Sequence, residues 1–327
     1  MILYWVAILA VSILLYVLLD GFDLGIGTLS MFARGEQQRD AMLQAVAPVW
    51  DGNETWLVVT GVVLWGAFPV IYATLLPAFY LPLLAMLAGL ILRGVAFEFR
   101  NKTKRRWIWD WSFAGGSLVA TFIQGMTVGA LVQGLPMVNG QYSGGDFGWL
   151  SPFSALCGAA LCLGYALLGA GWLVRKCEAE IRDIAYRQIP YLAVGVLLLL
   201  VIVFFYALAE HLQIMNRWLE RPYLFVFPVI GALAAATLAV SARRRWDALP
   251  FTMVAIIFAA AFGTLAISFW PYMIPYRITI AEAAAPHSSL AFMFWGAGIF
   301  IFPLMLLYTV ISYSVFRGKV GIAPSQY

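Results

Sequence analysis

Only two histidines, His211 and His287, and three cysteines occur in 327 residues, and charged side chains make up no more than 11% of the chain. Each scarcity excludes something. Cys157 and Cys162 share one apolar segment and Cys177 follows it, a spacing that builds neither a disulfide framework nor a zinc site and leaves the three as packing residues. Haem iron takes His, Met, Cys or Tyr as an axial ligand. Both histidines fall in predicted external loops, His211 behind Glu210 and His287 behind Pro286, and the scattered methionines, Met126, Met273 and Met293 among them, read as packing. A stably bound haem is therefore not expected here. Walker A, CxxC, nucleophile-elbow and HExxH patterns are missing as well, which argues against redox or group-transfer chemistry by this chain alone.

What the chain has in excess is apolar surface. With 63% hydrophobic residues and a mean hydropathy of +0.88, a water-soluble core could not hide it, and the chain reads as an all-α integral membrane protein. The run Ile2 to Leu19 has no basic lead and is followed by Asp20 in place of a small-residue cleavage site, so it reads as a retained helix. A helix needs about 20 apolar residues to cross the hydrocarbon. Windows of that kind predict nine spans, approximately Ile2 to Leu19, Thr55 to Leu76, Pro77 to Phe97, Ser112 to Gln133, Trp149 to Val174, Ile189 to Ala209, Tyr223 to Ala242, Pro250 to Trp270 and Leu290 to Phe316. The second and third share a charge-free window, Thr55 to Leu92, too long for one crossing; Pro77 and Pro82 mark the expected turn of a helical hairpin. Without an internal repeat or linker, residues 1–327 read as one membrane domain.

The net charge of +4 and pI near 9.0 do not point to nucleic acid, because the basic residues are spread between the spans. Of 20, 16 fall in the loops after the first, third, fifth and seventh spans and after the ninth; Arg217, Arg221 and Arg277 fall in the others, and Arg93 lies within a span. The positive-inside bias then predicts an external N-terminus and a cytoplasmic C-terminus. Trp107, Trp149, Trp218 and Trp270 sit near span ends, as interfacial aromatics do.

On that topology Asp20, Asp23, Asp51 and Glu54 gather at the cytoplasmic ends of the first two helices, in the clusters Asp20-Gly21-Phe22-Asp23 and Asp51-Gly52-Asn53-Glu54. Their i, i+3 spacing places each pair on roughly one helix face. A carboxylate withdrawn from water is suited to taking up and releasing protons near neutral pH. The plainer reading is that Asp51 or Asn53 caps the second helix and that Asp20 ends the first against its own glycine-rich loop. Asp51 and Asp23 favour the functional reading; Asp20 and Glu54 are balanced between the two. Arg93, two turns before a basic cluster, needs an anionic partner or a path to the interface. Asp23, Asp51 and Glu98 are candidate counter-ions, and Arg93, Glu98 and Arg100 together suggest a structural ion pair that fixes helix packing.

The segments Leu19-Asp20-Gly21-Phe22-Asp23-Leu24-Gly25-Ile26-Gly27, Ala47-Pro48-Val49-Trp50-Asp51-Gly52-Asn53-Glu54-Thr55-Trp56-Leu57 and Arg93-Gly94-Val95-Ala96-Phe97-Glu98-Phe99-Arg100 resemble hallmark segments of subunit II of cytochrome bd-type quinol oxidases. Trp109-Asp110-Trp111, Val132-Gln133-Gly134-Leu135-Pro136, Ser151-Pro152-Phe153, Gly164 to Gly169, Pro271 to Pro275 and Phe316 to Val320 extend the likeness over nearly the whole chain. In detail it is closer to the cyanide-insensitive branch. The resemblance implies two four-helix bundles plus a peripheral helix in a bacterial inner membrane, within a complex that oxidises quinol and reduces dioxygen to water. It also implies that haem b and haem d are ligated by subunit I, so that no catalytic, cofactor-binding or metal residue is expected in this subunit. A proton route at the contact with subunit I would then involve Asp51 and Asp23. Lipid, a structural quinone and a small single-span accessory subunit complete the set of implied partners. A purely structural subunit is a second reading, for which Gly115, Gly116, Gly125, Gly129, Gly158, Gly164, Gly169 and Gly171 would supply close helix contacts. A proton-coupled transporter is a third, but the paired helix-breaking repeat it requires is not found.

Overall fold

The computed structural model describes residues 1–138, 140–210 and 222–320. His211, Arg217, Trp218 and Arg221 lie outside the described residues. The helices are α1 (Ile2–Ser30), α2 (Glu36–Gln44), α3 (Trp50–Ala67), α4 (Pro69–Ala78), α5 (Tyr80–Phe99), α6 (Arg106–Gln133), α7 (Pro152–Lys176), α8 (Ala179–Ala209), α9 (Val226–Arg244), α10 (Leu249–Phe269), α11 (Ile280–Ala283), α12 (His287–Met293) and α13 (Ile301–Val315). A π-helical segment, Phe294–Gly298, joins α12 to α13. Two small antiparallel hairpins, β1 (Met137–Val138) with β2 (Gln141–Tyr142) and β3 (Tyr272–Ile274) with β4 (Ile278–Thr279), close loops between helices.

Among the described residues eight helical rods are long and apolar enough to cross a membrane: α1, α5, α6, α7, α8, α9, α10 and the continuous stretch from α12 through α13. The remaining rod, α3, is 18 residues long and carries Asp51 and Glu54 in its first turns. The protein is an all-α membrane protein. Helix α7 packs against α1, α6, α8 and α10, while α1 also packs on α3 and α6, α5 on α6 and α9 on α10. No residue of α13 is fully buried, which leaves it at the periphery.

One expected boundary moves and one break is added. The chain does not end its first helix at Asp20: α1 runs on through the glycine-rich segment to Ser30. Glycine is tolerated there because neighbours occupy the space a side chain would need. A Cβ on Gly21 would lie 2.8 Å from the Tyr165 ring, and one on Gly25 would fall into the Tyr165 carbonyl. The glycines are a packing seam for α7, not a loop. The addition concerns the hairpin. It has two breaks: the expected one between Pro77 and Pro82, at Phe79 with φ −117° and ψ 22°, and a further one at Phe68, whose φ and ψ are −134° and 59°, because the ring of Pro69 disfavours helical backbone at the preceding residue. Pro77 lies inside the short α4, and Pro82 in the first turn of α5, where no intrahelical N–H bond is lost. Trp50 at the start of α3 stacks on Phe97 near the end of α5, ring centroids 4.9 Å apart, so α3 and α5 still run antiparallel with α4 as the tip.

The other glycines expected at close contacts take that role in all cases but one. Gly116 packs on the backbone of Gly89, Gly125 and Gly129 on α7, Gly158 on Phe122, Gly164 on Phe258, Gly169 on the backbone of α1 and Gly171 on that of Phe251; Gly115 faces open space. The three cysteines are unpaired.

Ion pairs tie the odd-numbered loops into one face. Arg106 bonds Glu36, and Arg100 and Arg39 both reach Asp110, joining the α2 region to the α5–α6 turn. Asp247, between α9 and α10, accepts from Tyr186 at 2.9 Å, Lys319 at 3.2 Å and Arg182 at 3.3 Å. The C-terminal segment is drawn in by the Val320 N–H donating to the Lys176 carbonyl at 2.8 Å and by Lys176 Nζ donating to the Phe316 carbonyl. At the opposite end the Ala285 N–H donates to the Ala67 carbonyl, and Trp5 Nε1 to the Leu290 carbonyl.

Burial alone would raise the Asp247 carboxyl, but hydrogen bonds from Tyr186 and Lys319 and the charges of Arg182 and Lys319 hold it below the usual carboxylate value. A folded-state value below the unfolded one adds stability above the unfolded pKa, and that stability disappears as pH falls through the folded value. Asp247→Asn is therefore expected to lower stability by about 1 kcal/mol or less at neutral pH, the network being open to solvent. Thermal melts in detergent at neutral and at acidic pH check this: the gap between variant and parent closes only at the acidic end.

Candidate functional site

Three carboxylates and one guanidinium meet where α1, α3 and α5 converge. Arg93 is fully buried on α5; its Nη1 donates to Asp20 Oδ1 at 2.5 Å, and its Nη2 to Glu54 Oε2 at 3.1 Å. The Asp20 side chain is fully buried and that of Glu54 is 25% exposed. One turn along α1 from Asp20, Asp23 is 1% exposed and accepts a 2.7 Å hydrogen bond from Asn53 Nδ2. Charges removed from water are costly unless paired and hydrogen-bonded. Here one cation faces three acids. Among the described residues, Asp20 Oδ2, Asp23 Oδ1 and Arg93 Nε are buried without a hydrogen-bond partner that meets ordinary geometry.

Neutral polar side chains run away from this cluster in two directions. Tyr16, one turn before Asp20 on α1, interacts with it and accepts from Gln124 Nε2 on α6 at 2.7 Å; Tyr165 on α7 donates to Gln124 Oε1 at 3.1 Å. On the other side Tyr313 of α13 donates to Asn53 Oδ1 at 2.9 Å. Sequence reasoning passed over Tyr16, Gln124, Tyr165 and Tyr313. The i, i+4 spacing of Tyr16 and Asp20 was the available signal for the first, and nothing local marks the others.

The candidates distribute unevenly. Asp20, Asp23, Glu54 and Arg93 come together; Asp51 does not join them. It lies exposed on the first turn of α3, with Glu54 one turn further in. Nor does Glu98 pair with Arg93. Five residues further along α5, it points to a different side of that helix and bonds Lys102 at 3.4 Å on the surface. Arg100 belongs to a separate cluster: it is buried, it bonds Asp110 through Nε at 2.5 Å and Asp40 through Nη1. Asp110 belongs to the Trp109-Asp110-Trp111 segment noted in the sequence, whereas nothing there marked Asp40. His287 is exposed at the start of α12, and among the described residues no group of three or more His, Cys, Asp or Glu is placed to hold a metal ion.

Comparison with known proteins accounts for nearly the whole chain. The family model for cytochrome bd terminal oxidase subunit II matches residues 1–316. Cytochrome bd ubiquinol oxidase subunit 2 of Bacillus subtilis is 30% identical over 331 residues, 97% of this chain and 96% of that protein. Cytochrome bd-I ubiquinol oxidase subunit 2 of Escherichia coli K12 is 28% identical over 357 residues, 97% and 94% of the two chains. In fold the chain is similar to one from the structure of bd oxidase from Geobacillus thermodenitrificans, with a TM-score of 0.75, 18% identity and 96% of each chain covered.

Proposed function

The chain belongs to the family of cytochrome bd terminal oxidase subunit II, and from that premise we propose that it is the non-haem-ligating subunit of a quinol oxidase, standing beside subunit I and supplying part of a cytoplasmic proton-uptake route. Membership makes it part of an oxidase complex that takes electrons from quinol. Among the described residues, His287 is exposed and the buried Met126 is enclosed in apolar packing with Leu24, Met86 and Leu90, so neither suits an axial haem ligand. Haem b and haem d, and the reduction of dioxygen to water, are assigned to subunit I on that ground.

The observation that carries the proton-route reading is the excess of buried carboxylate over buried cation, with two carboxylate oxygens at the same place unpartnered among the described residues. Asp51 is the exposed entry, Glu54 the half-buried step one turn inward, and Asp20 and Asp23 the buried acceptors beside Arg93. Arg93 keeps the cluster anionic enough to attract protons and holds Asp20 and Glu54 at fixed distances. In this topology the N-terminus is outside and nine crossings end in a cytoplasmic C-terminus, so that the basic loops and the acid cluster share the cytoplasmic side of an inner membrane. Protons consumed in dioxygen reduction come from that side, and the reaction is electrogenic without a pump. On this reading the chain is one membrane domain, and the motifs around Asp51 and Arg93 support a likeness to the cyanide-insensitive branch. A small single-span accessory subunit, lipid and a structural quinone remain further partners on the same family reading.

A purely structural role is favoured by one observation, the fully buried Arg93–Asp20 pair, which would fix helix packing by itself. The readings separate on Asp23→Asn and Asp51→Asn. In assembled, haem-replete complex each is expected to lower quinol-dependent oxygen consumption by about tenfold or more with the haem spectrum unchanged. Loss of haem and of the partner subunit with no turnover defect in the remaining intact complex would favour scaffolding.

A further inference from the structure

We propose that Tyr313, acting through the Asn53 amide, is a positioning residue for Asp23, pinning Asp23 Oδ2 and leaving Oδ1 as the oxygen that exchanges the proton. The inference rests on the proton-route reading and adds the atom at which Asp23 works. Asn53 is 1% exposed, and all of its polar atoms are used. Its Nδ2 donates to Asp23 Oδ2 at 2.7 Å and to the Leu19 carbonyl at 3.3 Å, while its Oδ1 accepts from the Tyr313 hydroxyl at 2.9 Å. An amide turned over would set Oδ1 against two acceptors on α1. The Tyr313 proton selects the orientation that sets donors there instead. The ring that carries this proton is itself fixed. Its edge contacts Phe22 and Trp172, centroids 6.5 and 5.9 Å away, and Trp172 is anchored through Nε1 to the Ala45 carbonyl at 3.0 Å.

Two features make the arrangement more than ordinary helix packing. Helix α13 has no fully buried residue, yet it sends one hydroxyl through the bundle surface to this amide. And with Oδ2 engaged, Asp23 Oδ1 is buried with no hydrogen-bond partner among the described residues, so the carboxyl has one occupied and one open oxygen. A carboxyl held this way accepts a proton at a single atom and along a single direction, as a relay requires. The other charged groups facing Asp23 are Asp20, Arg93 and Glu54, on α1, α5 and α3.

The test compares Tyr313→Phe, Asn53→Leu and Asp23→Asn in the assembled complex, reading haem content, the pH profile of quinol-dependent oxygen consumption, and the infrared band of the protonated carboxyl that Asp23→Asn removes. Tyr313→Phe deletes one oxygen and leaves the ring in place. It is expected to assemble with full haem, lower turnover by about fivefold, the worth of one hydrogen bond, displace the pH profile and move the carboxyl band; Asn53→Leu is expected to do the same more strongly. A band and pH profile in Tyr313→Phe that coincide with the parent's, while Asp23→Asn is impaired, would overturn the positioning role and leave the proton route standing. Unimpaired Asp23→Asn would overturn the proton route itself. Should Asn53→Leu fail to assemble, Tyr313→Phe alone decides.

Discussion

Replacement of Arg93 by leucine is expected to abolish recovery of the assembled complex. The guanidinium is fully buried and holds Asp20, also fully buried, at 2.5 Å, together with Glu54 at 3.1 Å. Removing one partner of a buried pair strands the other in a medium that cannot solvate it, and such losses cost about 3–5 kcal/mol. That is a large share of the few kcal/mol by which membrane and soluble domains alike remain folded. The remedy is as specific as the defect. Arg93→Leu combined with Asp20→Leu removes the fully buried ion pair and leaves Asp23 and the part-exposed Glu54, and replacement of a whole buried pair by apolar groups is often close to neutral. The double variant is thus expected to recover much of the yield and thermal stability lost in the single one, while turnover stays low. Size-exclusion yield and thermal melts of the solubilised complex read the first effect and oxygen consumption the second. A single Arg93→Leu variant as stable as the parent would mean that the cluster does not carry the charges assigned to it.

The second large effect is expected at Gly25, through sterics and not charge. A methyl group there has no place to go: its carbon would occupy the Tyr165 carbonyl on α7, a backbone group that moves only if the helix does. Overpacking against side chains costs about 1–3 kcal/mol, and occasionally more; against backbone at the crossing of α1 and α7 the upper end applies. Gly25→Ala is expected to separate those helices, displace the Asp20 and Asp23 carboxylates that flank the crossing on α1, and reduce assembled protein sharply. Gly61→Ala on α3 is the control. Nothing lies within 4 Å of that Cβ, and relief of glycine's helical cost leaves the variant neutral or more stable by up to about 1 kcal/mol. Melting curves of the two variants side by side check both.

How far the sequence foretold this differs from element to element. The spans were legible because the bilayer demands long charge-free windows, and the loops because sixteen of twenty basic residues alternate with them. Acidic residues in so apolar a chain stood out for the same reason, and Asp20, Asp23 and Glu54 do meet. The end of α1 was not legible. Propensity makes Asp20-Gly21 a helix stop, and only the tertiary neighbour, Tyr165, makes glycine the residue that fits a continuing helix. Partner choice was not legible either. Arg93 lies close in sequence to Glu98, but helical geometry separates them, while Asp20, 73 residues away, is within hydrogen-bond reach. The break at Phe79 was legible from Pro77 and Pro82 on either side of it, and the one at Phe68 was open to local reasoning, since Pro69 restrains the residue before it. Tyr313 is the hardest case, a tyrosine in an apolar helix 260 positions from the amide it contacts.

That separation along the chain also orders events in time. The acid cluster is drawn from α1, α3 and α5, which leave the ribosome early, whereas the hydroxyl that orients Asn53 arrives later with α13, and Val320 behind that helix is clasped onto the Lys176 carbonyl. A nascent subunit therefore holds its buried acids before it holds the group that sets their geometry. Asp23 is therefore set in place only once α13 has docked beside α1 and α3.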